Sequence, residues 1–238
     1  NRKARKLFET SLISPTENSV AQSAWAKQKL PTLDLGNSIS ATPRTYEAKT
    51  WSSYLELDWN NVVRSSMDWL LDEPFSSRPA ELGSFAATIG LDDFKLAESI
   101  TKSGLVANPG DQGLLNNQAF ALANQNRLEE AMSVLRQASR PALHPATESA
   151  LRATEGMINL RLGNYEEGEK NYLDAISLAK RESMNKVVVL ASIFYAREIN
   201  KARILSREDA SQFIDKAANT VSDIDIKWIK KKKKKGLF

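Results

Sequence analysis

The 238-residue chain has no cysteine, which excludes disulfides, thiolate metal centres and a cysteine nucleophile. Such a composition suits a reducing compartment, and a cytoplasmic location is the expectation. Histidine is nearly absent too: the single His144 lies between Pro141 and Pro145, with no second histidine or cysteine to share a metal. No apolar run approaches the ~20 residues that a membrane-spanning helix needs. No secretory-signal pattern opens the sequence. Phosphate loops are missing as well, because Gly163-Asn164 and Gly110-Asp111-Gln112-Gly113 lack the lysine and the preceding strand that such loops use. The acidic pairs Asp92-Asp93, Glu129-Glu130 and Glu166-Glu167 each open a predicted helix, where negative charge complements the helix dipole. They are read as structural rather than as acid–base catalysts. No catalytic residue, metal ligand or cofactor site is expected, and the chain is not expected to be an enzyme.

What is present is a globular composition, 42% apolar and 26% charged, which argues against a disordered chain. The net charge of +4 is unevenly placed. Lys227 and the run Lys230, Lys231, Lys232, Lys233, Lys234 and Lys235 carry seven positive charges without an acidic neighbour. Removing those seven from +4 leaves −3 for the rest, so the body is mildly acidic. Nucleic-acid or anionic-surface binding is therefore an expectation for the basic tail alone.

Along the chain, residues 1–28 read as a helical segment, the end of an upstream repeat, and 29–45 as a Pro/Ser/Thr-containing linker. The body, 46–180, divides into helix pairs. Their spans are 46–57 with 59–71, 79–90 with 94–106, 113–125 with 128–139, and 147–162 with 165–180. Each pair has a hinge made of a polar residue, an apolar one and a small one three places on. These are Asp58-Trp59 with Val62, Asp93-Phe94 with Ala97, Arg127-Leu128 with Ala131, and Asn164-Tyr165 with Gly168. The small residues lie 35, 34 and 37 positions apart. Pro74 and Pro109 each fall twelve residues after the first two, where the second helix should stop. Trp51, Tyr54, Trp59 and Trp69 are expected to form an aromatic core for the first pair. Residues 181–220 read as a divergent fifth pair that caps the array, with a helix over 185–198 and a second opened by Ser206, and 221–238 as the basic tail.

These features resemble the tetratricopeptide repeat family, whose helix–turn–helix unit has a period of about 34 residues. The likeness is best over Gly113–Ala138 and Ala153–Ala179, where Gly156, Gly163, Tyr165, Gly168, Tyr172 and Ala175 fall on the family's small and aromatic positions. Gln118, Glu155 and Asn159 depart from it, standing where that family usually places apolar residues. The pair around Leu82, Phe85, Ala86 and Ile89 is one residue short before Asp92-Asp93. The resemblance implies an all-α fold, a right-handed solenoid of antiparallel helix pairs. It implies a non-catalytic scaffold for protein–protein interaction, with a peptide or partner helix in a concave groove lined by first helices.

Carried over position by position, the groove candidates are Asn116, Phe120 and Asn124 in the third pair, and Ala153, Met157 and Arg161 in the fourth. Amide side chains would bond a peptide backbone, Arg161 a carboxylate, and Phe120 and Met157 an apolar side chain. The alternative is a repeat module of a larger enzyme or nucleic-acid-processing protein, with its catalytic domain upstream of residue 1. An opening Asn rather than Met is what that reading would expect.

Overall fold

A computed structural model describes residues 2–33 and 45–202. The described residues form an all-helical structure without a β-strand. The eleven α-helices are α1 (Arg2–Ser11), α2 (Glu17–Lys29), α3 (Tyr46–Leu55), α4 (Trp59–Asp72), α5 (Arg78–Phe85), α6 (Phe94–Ala107), α7 (Gln112–Asn124), α8 (Leu128–Leu135), α9 (Pro145–Leu162), α10 (Tyr165–Arg181) and α11 (Asn185–Lys201). Consecutive helices from α3 to α11 pack on one another. In addition, α5 touches α7, α7 touches α9, and α9 touches α11. Both the helix opened by Ser206 and the lysine run of the tail lie outside the described residues.

One turn recurs. Leu57, Asp92, Asn126, Gly163 and Ser183 each have positive φ, between 55° and 87°. The residue after each turns its N–H back to close the preceding helix. Asp58 donates to the Ser53 carbonyl (2.9 Å), Arg127 to Leu122 (3.1 Å), Asn164 to Asn159 (2.9 Å) and Met184 to Ala179 (2.9 Å). This is the Schellman way of satisfying the last carbonyls of a helix, and it reverses the chain within a few residues. Asp58 and Asp93 then cap the following helices through the Asn61 and Leu96 N–H groups, at 3.2 and 3.0 Å. Arg127 and Asn164 make no side-chain cap bond, and Glu129-Glu130 and Glu166-Glu167 supply the first-turn negative charge instead.

The second hairpin carries an irregularity. Residues Ala86–Gly90 form a π-helical turn that continues α5. Asp93 accordingly donates to a carbonyl six residues back, that of Ala87, rather than five. Gly90 ends this turn against Trp59, where a Cβ would stand 2.2 Å from the indole Cγ. The contact brings the π turn onto α4. In the fourth hairpin Gly156 and Gly168 allow similar proximity, since a Cβ on Gly168 would lie 2.8 Å from the backbone nitrogen of Leu160.

Two expectations need correction. Helix α8 stops at Leu135 rather than 139, because the Gln137 and Ala138 N–H groups bond three residues back to Val134 and Leu135 in tightening turns. Trp51 is 43% exposed rather than a core residue, while Trp59 and Trp69 are buried. Gln118 and Asn159, polar at expected apolar positions, are nevertheless buried.

Helix α11 differs from the others. Val188, Val189, Ala191, Ser192, Ile193, Tyr195, Ala196, Glu198 and Ile199 are all buried, which covers nearly every direction around its axis. Val189, Ile193 and Ala196 join a core shared with Val62, Ile89 and Ile100, whereas Val188, Ala191, Tyr195 and Ile199 join one shared with Leu151, Ile158 and Tyr172. A helix that is apolar all round is one enclosed on all sides. That accounts for the apolar run over 187–196, broken only by the buried Ser192.

A roofed groove as candidate functional site

The side chains that α5, α7 and α9 turn inward meet α11. At its N-terminal end, Lys186 reaches the Tyr54 hydroxyl as a hydrogen-bond donor and lies 4.6 Å from the Tyr54 ring centroid and 5.9 Å from that of Phe85. In the middle, Phe194 meets Phe120 edge to face with ring centroids 5.0 Å apart. At the C-terminal end, Glu198 accepts two bonds from Arg161, at 2.8 and 2.7 Å, and one from Arg197 at 2.8 Å. Burial works to raise the Glu198 carboxyl. The Arg161 bonds and the charges of Arg197, Arg161 and Lys201 outweigh it and hold the carboxyl below its ordinary value.

The six groove candidates from the sequence lie along or beside this contact. Asn116 accepts from the Thr154 hydroxyl at 2.8 Å and borders open space. Phe120 lies under Phe194. Asn124 donates to the Phe120 carbonyl (2.9 Å) and accepts from Arg161 (3.1 Å) and Arg197 (3.3 Å). Ala153 borders the cavity described below. Met157 is fully buried, with its sulfur 3.5 Å from the Arg197 guanidinium. Arg161 also donates to the Ala123 carbonyl at 2.6 Å. Asn124, Met157 and Arg161 are thus engaged with α11, and Asn116, Phe120 and Ala153 are the three that face space.

That space consists of two adjoining cavities, referred to together as the channel. An inner chamber of about 180 Å³ is walled by Phe85, Thr88 and Ile89 of the α5–π segment, by Phe120 of α7, by Ala150 and Ala153 of α9, and by Leu190 and Phe194 of α11. An outer cavity of about 420 Å³ is bordered by Trp51, Tyr54, Trp69, Arg78, Glu81 and Lys186. Phe85, Asn116, Asn117, Ala146 and Ala150 border both. Arg78 stacks over Trp69, 5.1 Å from its ring centroid, and pairs with Glu47. Burial, then the neighbouring Asp111, push the Glu81 carboxyl above its ordinary value.

Sequence reasoning missed Lys186, Arg197, Glu198 and Phe194. Their roles depend on α11 crossing three other helices, and no local pattern encodes that path. Trp51 and Tyr54 do carry a sequence signal, an i, i+3 aromatic pair, but that spacing does not separate a core pair from one bordering a cavity. Among the described residues, no cluster of three or more His, Cys, Asp or Glu is placed to hold a metal, and no helix is long and apolar enough to cross a membrane.

No protein-family model matches the chain, and no characterised protein matches it in sequence.

Proposed function

We propose that the chain is a non-catalytic protein-interaction scaffold. In this reading its helix pairs form a right-handed, tetratricopeptide-like solenoid, and a peptide or partner helix enters the concave groove. The observation that carries the reading is the contact pattern. The first helices α5, α7 and α9 each pack on their own second helix, α5 also on α7 and α7 on α9. The same Schellman reversal supports it at the α3–α4, α7–α8 and α9–α10 turns. Stacked hairpins of this kind present one side of their first helices as a continuous concave surface. Because α11 covers Asn124, Met157 and Arg161, the partner's route runs through the open end, beside Trp51, Tyr54 and Asn116.

The test is a peptide-display selection against the intact chain, followed by anisotropy titration of an enriched peptide. A Trp51→Ala, Asn116→Ala double variant that retains its helical circular dichroism is expected to lose about tenfold or more in affinity, as removal of an aromatic anchor and an amide partner would produce. Enrichment of no peptide, or equal binding by the variant, would contradict the groove assignment.

A further inference from the structure

The channel has a polarity of its own. The inner chamber is apolar, and a dry apolar cavity of roughly 150 Å³ is enough to take a benzene ring. Thr88 borders it with a buried hydroxyl that has no hydrogen-bond partner. The outer cavity is different. Arg78 and Glu81 of α5, Gly113 of α7, and Ala146 and Thr147 of α9 border it, so three helices present their first turns to one opening. Glu81 on α5 and Glu148 on α9 supply first-turn negative charge and Asp111 caps α7, so the helix dipoles are compensated and the positive charge at this opening has to come from side chains. Lys186 adds a full charge and has no carboxylate partner among the described residues. Trp69, 1% exposed, borders the same cavity with an unpartnered indole N–H. The one carboxyl bordering it, Glu81, is the one whose burial favours its neutral form.

We propose that this roofed channel binds a small amphiphilic anion, with an aryl or short alkyl group beneath α11 and a single carboxylate or comparable anion at the outer opening beside Lys186. This goes beyond the scaffold reading and does not rest on it, since the ligand is a free small molecule and its binding is measured on the chain alone. The ligand would bridge α7 and α9 to α11, so binding would stabilise the fold in proportion to its occupancy.

The experiment uses phenylbutyrate as probe, with phenylbutanol and phenylbutylamine as its neutral and cationic counterparts. Each is titrated into the full chain by isothermal calorimetry, and melting is followed in parallel. Phenylbutyrate is expected to bind at one site and raise the melting temperature, the alcohol to bind more weakly, and the amine weakest. Ala150→Trp, which fills the junction of the two cavities, should abolish binding of all three. Lys186 is solvent-exposed, so Lys186→Gln should fold normally. It should weaken phenylbutyrate about tenfold while leaving the alcohol unchanged, the expected loss for one hydrogen bond to a charged group. Absence of binding by the parent chain would overturn the proposal, as would equal affinity for acid and alcohol. Unchanged acid affinity in Lys186→Gln would overturn it even if the tryptophan variant failed to fold.

Discussion

Helices α10 and α11 are both 17 residues long and adjacent in the chain, yet they solve different problems. Helix α10 buries Gly168, Asn171, Tyr172, Ala175, Ile176 and Ala179, a single stripe at three- and four-residue spacing. Its other side, with Glu166, Glu167 and Lys170, faces water. Helix α11 buries nine residues that leave no solvated side over most of its length. A stripe belongs to a helix in an outer layer, and all-round burial to one inside. The difference lies in the partners, since α11 packs on both α9 and α10 and contributes side chains to both hydrophobic cores.

The comparison can be broken at its strongest point first. Glu198→Ala leaves the Arg161 and Arg197 guanidinium groups without their shared carboxylate, and the expected destabilisation is about 3–5 kcal/mol in denaturant melts. The sign of its pH dependence follows from its depressed pKa. The stability Glu198 contributes is present above the unfolded carboxyl's pKa and is lost as pH falls through the lower folded value. Glu198→Gln should therefore flatten the acid limb of a stability–pH curve; an unchanged limb would show that the carboxylate is not buried against these arginines.

Next in size is Ile193→Ala, at a fully buried position of α11, with an expected loss of about 3 kcal/mol by urea denaturation. Its counterpart, Leu173→Ala on the exposed side of α10, should cost under about 1 kcal/mol, because the side chain is 45% exposed. Similar losses at the two sites would erase the distinction between an inner and an outer helix.

A further effect lies away from α11. Burial opposes ionisation of Glu98, but hydrogen bonds from Lys102, Gln125 and Arg127 hold its carboxyl at about 2. Its contribution should persist above the unfolded carboxyl's pKa and fade as pH drops toward about 2. In Glu98→Gln that part of the acid dependence should disappear, as read by melting temperature against pH. No loss of acid dependence would show that the contact between Glu98 and the α7–α8 turn is solvated.

How much of this was legible in the sequence depended on range. The helices from α3 to α10 could be read because apolar spacing, hinge polar residues and prolines are local signals. The π turn left no such signal: Ala86–Gly90 looks like ordinary helix, and only the approach of Trp59 to Gly90 explains what it accommodates. For α11 the sequence offered an unusual apolar run without saying what enclosed it. Phe120 and Arg161, expected to bind a partner, instead meet the chain's own Phe194 and Glu198. A tertiary crossing of this kind depends on chain path, which the spacing of residues along one helix does not specify.

The most direct test of α11's place against α7 exploits the absence of native cysteine. Cysteines are introduced at Phe120 and Phe194 and treated with dibromobimane, which becomes strongly fluorescent on joining two nearby thiols. The fold described here predicts a rapid intramolecular cross-link in the folded chain and none for a Phe120→Cys, Leu173→Cys pair. Failure of the first pair to link, in a chain that retains its helical circular dichroism, would contradict it.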